Sequence, residues 1–416
     1  MTHLTPLRAQ DLDEYVRELD RLGGPGQGAG RAFTQSHIYQ PGVAIDTTLD
    51  PFGAEYLAQQ IALYEEISGR RLDQLVNEET PIDIARHAAA PNSYDHPVPA
   101  MLADHLIRLA ATLRLANPAR GHWLLDMGCG WGLSSEFMAQ AGLNVLAMDV
   151  SRDFVALVQQ RAARLGLNIR AEWGEFETYG PPHPVDLVLF YECLHHAPRP
   201  WHVLGRVASA LAPHDRAQIL LAGEPIQATW WPHWGLRLDG ESIYVMRRHG
   251  WFESGWSLPF ILRCLAVAGL EPVVQALPEP VAGLIIVARR RRVLGVGWLH
   301  AVARVEGLIP EGNDAVMVAE AATLRFGPMP AAGQLRLRLR NYRTRPTRIT
   351  IATDAGKAQP LELPPGTSSL VLDGIQGGTR LAFTTETWVP AEETGSADTR
   401  RIGFHLAGFE WSSSGA

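Results

Sequence analysis

Apolar residues recur at three- and four-residue spacing in DLDEYVRELDRL (11–22), in GAEYLAQQIALYEEISG (53–69) and again in VPAMLADHLIRLAATLRL (98–115). That period predicts amphipathic helices. Between the first two lies GGPGQGAG (23–30), whose glycine density predicts a loop or flexible tether. From about residue 121 the pattern changes. The short apolar runs HWLLDMG (122–128), NVLAMDV (144–150), NIRAEW (168–173), VDLVLFYE (185–192) and AQILLAGEP (217–225) alternate with the helical stretches SSEFMAQAG, FVALVQQRAARLG and WHVLGRVASALA. Strands alternating with helices predict an α/β fold around a parallel sheet. EPVVQALP and VAGLIIVARR follow with only a short turn between them, which suits an antiparallel hairpin better than another crossover. Past RRRR (289–292) the period becomes two: LRLRLRNYR (335–343) alternates strictly, and RITIAT, SSLVLD, RLAFTTETWV and RIGFHLAGFEW follow between Pro/Gly-rich turns. This predicts an all-β module, a sandwich. The arginine run itself reads as a solvated strand end and linker.

The division expected from these textures is a helical N-terminal cap over 1–95, an α/β domain over 96–292 and a β-sandwich over 293–416. A length of 416 residues supports more than one domain, and 46% hydrophobic with 19% charged residues is a globular composition. The net charge of −7 argues against a nucleic-acid partner, which usually meets a basic surface. Three cysteines (Cys129, Cys193 and Cys264) at no paired spacing form neither a disulfide framework nor a zinc ribbon, and suggest a reducing compartment. The opening MTHLTPLRAQDLDEYV lacks the apolar run of a signal peptide, and VAGLIIVA (281–288) is too short to span a bilayer, so the expected location is cytoplasmic.

Chemistry concentrates first in LLDMGCGWGLSSE (124–136). A strand ends in Asp126, and Gly128, Gly130 and Gly132 follow before a helix begins. Glycines there let the chain turn tightly and let a ligand approach the backbone. The dinucleotide fingerprint would need its third glycine at position 133, which is leucine. Asp149, closing the next strand 19 residues after Gly130, stands where an acidic side chain can bind ribose hydroxyls. In this D-x-G-x-G-x-G spacing, followed by that aspartate, residues 121–290 resemble the class I S-adenosylmethionine-dependent methyltransferases. The resemblance implies a Rossmann-like seven-stranded core with S-adenosyl-L-methionine as cofactor, the hairpin at 271–288 supplying the seventh strand. It also implies that Val150 joins Asp149, that Glu175 and Phe176 of EWGEFE, or in their place Glu172 or Trp173, hold the adenine, and that Tyr191 and, from NSYDHP (92–97), Tyr94 lie along the cofactor.

FYECLHHAPRPW (190–201) then falls at the carboxyl end of the fourth strand, where the ligand crevice of an open α/β sheet lies. Glu192, His195 and His196 are expected at its mouth. The histidines have two readings, a wall beside the cofactor or a base for an alcohol acceptor. Glu224, at the end of the fifth strand, is a competing base. No metal site is assigned, since adjacent histidines on a loop rarely aim at one ion and no distant partner pair identifies itself.

The segment TWWPHWGLRLDGESIYVMRRHGWFESGW (229–256) holds five of the chain's 12 tryptophans. Indole faces with interspersed polar donors suit a sugar ring, and Trp231, His233, Trp234, Arg237, Trp251 and Trp256 are the candidate acceptor contacts. The competing reading is a lid or oligomer interface. ETWVPAEETGSADTRRIGFHLAGFEW (386–411) resembles the closing portion of β-sandwich modules attached to bacterial surface-polysaccharide enzymes, on a loop proline, an Asp-x-Arg-Arg turn and a final strand. The leading expectation is O-methylation of a sugar in a glycan or its precursor. A small-molecule or amine methyltransferase, and a non-catalytic S-adenosylmethionine-binding scaffold with a glycan-binding module, stand as alternatives. The partners considered are the glycan acceptor, a second copy of the chain and polysaccharide-assembly proteins.

Overall fold

Runs such as LVLFY and QILLA are apolar on both sides of the strand, the composition of a sheet covered on both faces. In the computed structural model they form the centre of one seven-stranded sheet. The structure describes residues 4–413 apart from 27, 80, 97, 228, 280, 292–294, 313, 318–319, 355 and 357. Pro97 of NSYDHP and Arg292 of the arginine run therefore lie outside the described residues. The chain divides into two compact units, residues 1–260 with 273–289, and residues 261–272 with 290–416.

The strands of the sheet are β1 (Trp123–Met127), β2 (Asn144–Asp149), β3 (Ile169–Trp173), β4 (Leu187–Tyr191), β5 (Gln218–Ala222), β6 (Leu270–Leu277) and β7 (Gly283–Arg290), in the spatial order β3-β2-β1-β4-β5-β7-β6. β1 to β5 run parallel, and β7 pairs antiparallel with β5, Ile286 opposite Leu221. Chain order reverses direction between β1 and β4, so the crevice for a ligand opens at their carboxyl ends. The helices Leu133–Gln140, Arg152–Leu165 and Pro200–Ala210 connect successive strands. Leu124, Leu189, Leu220 and Ile285 are fully buried in the core on one side of the sheet.

The N-terminal region belongs to this first unit. Helix Leu12–Arg21 buries Leu12, Tyr15 and Leu19, and helix Ala54–Ser68 buries Tyr56, Gln60, Leu63, Tyr64 and Ile67. Those spacings are the helical stripes of the sequence. Two details differ from the sequence reading. The glycine-rich stretch expected to be loop to residue 30 already enters a helix at Gly28, Gly28–Gln35, because Tyr15 stacks on Phe33 and the new helix gains a tertiary partner that offsets its poor propensity. Thr5–Leu7 and His37–Tyr39, in a region read as helical, pair as parallel strands.

The helices pack on the tryptophan-rich segment far along the chain. Tyr15 donates to the Gly240 carbonyl (2.9 Å), Tyr56 to that of Trp234 (2.5 Å) and Tyr64 to that of Gly250 (2.5 Å), while Trp234 Nε1 donates to the Pro51 carbonyl (2.7 Å). Arg161 is buried with both its Nε and Nη2 on Glu136 and its Nη1 on the carbonyls of His87 and Ala90, which ties residues 87–90 to the helices after β1 and β2.

The second unit is β-rich. One five-stranded sheet runs Ala303–Glu306, Ala321–Phe326, Arg380–Thr385, Thr347–Thr353, Gln359–Leu363; the other runs Leu308–Glu311, Asp314–Met317, His405–Ser413, Gly333–Asn341, Gly366–Ile375. Leu335, Leu337 and Leu339 face a core shared with Leu324, Ile349, Leu381 and Phe383 of the other sheet. The arginines between them face out, Arg338 to Glu410 and Arg340 to Asp314. In the Asp-x-Arg-Arg turn it is Arg400 that clasps Asp398, and it also reaches Glu311 at 2.7 Å. Among the described residues no helix is long and apolar enough to cross a membrane.

Candidate active site

β1 delivers the chain into a loop whose shape depends on glycine. Gly130 has φ +48°, and a Cβ there would meet nothing within 4 Å, so the backbone presents an open face. Gly132, at φ +81°, is tight on the other side: a Cβ would sit 2.7 Å from Val158 Cγ2. Gly132→Ala is therefore expected to cost about 1–3 kcal/mol of stability, read as a lower urea midpoint, without removing any polar group from the site.

The loop is pinned to β2 by Asp149. Its Oδ2 accepts the Gly130 amide and its Oδ1 the Ser151 amide, both at 2.8 Å. Burial pushes the carboxyl up to about 6, against the two amides that favour its charge. Ser151 in turn caps the helix Arg152–Leu165. Asp126 has a different task. Fully buried, it accepts the hydroxyls of Ser134 (2.7 Å) and Ser135 (2.6 Å) and anchors the first turn of the helix Leu133–Gln140. Burial likewise pushes it up to about 6.

A cavity of 310 Å³ opens here. Of the residues expected at the cofactor, Gly128, Gly130, Asp149, Val150, Glu175, Phe176, Tyr191 and Tyr94 all line it; Asp126 and Gly132 stand behind the wall. Trp131, tilted against His87 and edge-on to Phe154, also lines it. The residues fit S-adenosylmethionine: a buried carboxylate for the ribose diol, an apolar slot of Val150, Phe154 and Phe176 for adenine, and an open glycine face beside them.

The other end of the cavity is built by β4 and by the helix Pro99–Ala116. Glu192 has φ +54°, a left-handed backbone that costs a residue with a Cβ of order 1 kcal/mol and recurs at functional sites. Its side chain is about a third exposed, within the cavity. Oε1 takes Arg108 Nη1 at 2.5 Å, and His105 Nδ1 lies 3.7 Å from Oε2. Burial pushes Glu192 up to about 7, with Arg108 opposing the rise and Glu224 adding to it. His105 Nδ1 and the Tyr191 hydroxyl are 2.7 Å apart, and burial followed by the Arg108 charge lowers His105 to about 4, so its ring is neutral. Neither His105 nor Arg108 was singled out by sequence reasoning. The only trace is their three-residue spacing in DHLIRL, which puts both on one helix face.

Of the three proposed bases, only His196 lines the cavity. It is not in a basic form at neutral pH: burial opposes its charge, but Glu78, with Oε2 3.4 Å from Nδ1, and then Glu253 and Glu224 outweigh that and push it up to about 9. His195 is buried, with Nδ1 2.9 Å from Glu224 Oε2 and Nε2 3.6 Å from Glu253 Oε2. Glu224 is saturated by the loop after β4, accepting the amides of Cys193 (3.0 Å), Leu194 (2.9 Å) and His195 (3.2 Å) as well as the His195 ring. These contacts hold its carboxyl below the usual range despite complete burial, so it works as a clamp on the loop.

The expected acceptor contacts separate likewise. Glu192 and Trp251 reach the cavity. Trp234 and Trp256 are fully buried, Trp231 donates to the Leu236 carbonyl (2.7 Å), and Arg237 is engaged by Asp239 and Glu253. His233 lies in the same packed region, 6.4 Å from the Phe260 ring, and does not line the cavity. The indoles read as a stacking platform for a sugar are thus largely core, because the N-terminal helices cover them.

"Ubiquinone biosynthesis O-methyltransferase" of Vibrio cholerae is 30% identical over 109 residues, 26% of this chain and 44% of that protein. The protein of the same name from Caulobacter sp. is 39% identical over 99 residues, 23% of this chain and 39% of its own. The chain thus spans less than half the length of these curated relatives. Among solved structures, magnesium protoporphyrin IX methyltransferase from Synechocystis PCC 6803 with bound S-adenosylmethionine aligns with a TM-score of 0.39 and 18% identity, covering 53% of this chain and 98% of that one. Residues 124–214, from β1 to just beyond the helix after β4, match the family model described as a methyltransferase domain.

Proposed function

We propose that the chain is an S-adenosylmethionine-dependent O-methyltransferase whose acceptor hydroxyl enters beside Glu192 and Trp251. One observation carries this reading: a single cavity joins the Gly130–Asp149 wall to the Glu192 carboxylate, which Arg108 holds at the cavity's other end. Bound S-adenosylmethionine supplies an electrophilic methyl group on a sulfonium. The protein has to align an oxygen with it, exclude water and receive one proton. Asp149 and the open face at Gly130 hold the ribose and backbone side; Phe176 and Val150 hold the adenine. Glu192 takes the acceptor's hydroxyl proton as its oxygen gains the methyl, and a base titrating near 7 suits work at neutral pH. Arg108 keeps that carboxylate aimed, and neutral His105 with Tyr191 completes the polar wall. O-methylation is also what the names of the curated relatives describe.

For the acceptor, a ring-bearing alcohol fits best, since Trp251 offers an indole at the cavity wall, set edge-on to His196 at 5.9 Å. A sugar of a glycan or glycan precursor remains the leading class and rests on Trp251 and on the β-rich second unit; a small phenolic or natural-product alcohol is the second, favoured by the relatives. The test is methyl transfer from labelled cofactor to each pool, with mass and position of the methyl read on material from a deletion strain and its parent. Loss of one O-methyl group from the strain's surface glycan supports the sugar; an unchanged glycan with labelled small-molecule product moves the acceptor to the second class.

A further inference from the structure

We infer that His195, His196 and Glu253 form a binding site for one divalent transition-metal ion of the zinc class. One ligand atom from each lies within 4.8 Å of the other two, and His195 Nε2 is 3.6 Å from Glu253 Oε2. Ligand atoms about 2.1 Å from a shared ion lie roughly 3–4 Å apart, so the cluster closes on an ion by small side-chain movements.

One further observation points the same way. Glu224, held by three backbone amides of the loop after β4, lies 2.9 Å from His195 Nδ1, and a carboxylate fixing the far nitrogen of a histidine is the common support of a metal-bound imidazole. The other ring nitrogen, Nε2, is on the Glu253 side, 3.6 Å from Oε2.

Two imidazole nitrogens and one carboxylate oxygen suit Zn²⁺ and its neighbours rather than Mg²⁺ or Ca²⁺, which favour all-oxygen sites. Three protein ligands leave a coordination position open, and of the three residues His196 lines the cavity. The site stands independently of methyl transfer, because binding itself is the readout.

Zn²⁺ titrated calorimetrically into the chelator-stripped full chain is expected to bind with one saturable equivalent. His202→Ala, on the helix after β4 and outside the cluster, retains that binding, whereas His195→Ala and Glu253→Gln each weaken it at least about 10-fold. Should His195→Ala fail to fold, long-range ¹H–¹⁵N spectra of the wild-type histidine rings decide, with two rings shifting together as Zn²⁺ is added. No saturable binding by the wild type, unchanged binding in Glu253→Gln, or no paired ring shift would overturn the site and leave a protonated ion-pair cluster.

Discussion

Asp149→Ala is expected to abolish measurable S-adenosylmethionine binding while the chain stays folded. The carboxylate does two things at once: it holds the Gly130 and Ser151 amides at 2.8 Å, and it lines the cavity where a ribose would sit. Each hydrogen bond to a charged acceptor contributes about 1.5–3 kcal/mol, so losing two ribose contacts weakens binding roughly 10²–10⁴-fold before any loosening of the glycine loop is counted. Asp126→Asn should cost much less affinity, since Asp126 holds serine hydroxyls behind the wall. Calorimetry on the two variants separates these roles; equal losses would return Asp126 to the binding site. A pH effect follows with a definite sign. Burial holds Asp149 up to about 6 in the chain, and a ribose hydroxyl donates more strongly to its charged form than to the neutral carboxyl. Calorimetric affinity of the wild type should therefore fall as pH drops through about 6.

Glu192→Gln should lower kcat by about 10²–10⁴ and leave cofactor affinity near that of the wild type. Glutamine keeps the size of the side chain but cannot take a proton. In the wild type a base pushed up to about 7 must first lose its proton, so the rate climbs with pH through about 7 and then levels. Arg108 lowers the Glu192 pKa against burial, and Arg108→Met should move that rising limb to higher pH while KM for the cofactor stays put. A structural role alone would change stability and leave the limb where it was. Should Glu192→Gln turn over at the wild-type rate, the proton goes elsewhere.

Much of the fold is visible in local pattern. β1, β2 and β4 stand within two residues of the runs that predict them, because each is a short apolar segment bounded by a glycine turn or a helix, and pairing regular strands needs no information beyond that. Asp149 is legible for the same reason: the spacing from Gly130 is set by one strand, one helix and one turn. What escaped was long-range. Tyr15 meets Gly240 across 225 positions and Tyr56 meets Trp234 across 178, and those contacts turn expected sugar-stacking indoles into core. No periodicity encodes which helix will cover them. Glu224 stood correctly at a strand end, yet its four hydrogen bonds come from the loop after β4, so a base by position became a clamp by partners. His105 and Arg108 went unseen because a helix reads as amphipathic whichever way its polar face turns, and only the packing of Pro99–Ala116 against the end of β4 aims them at Glu192.

A crystal structure of the full chain grown with S-adenosylhomocysteine tests the proposed chemistry most directly. The ribose hydroxyls are predicted on the Asp149 carboxylate, the adenine between Val150, Phe154 and Phe176, and the sulfur directed toward the end of the cavity that holds Glu192. Density for the ligand outside the Gly130–Asp149 wall, or a sulfur turned away from Glu192, would contradict it.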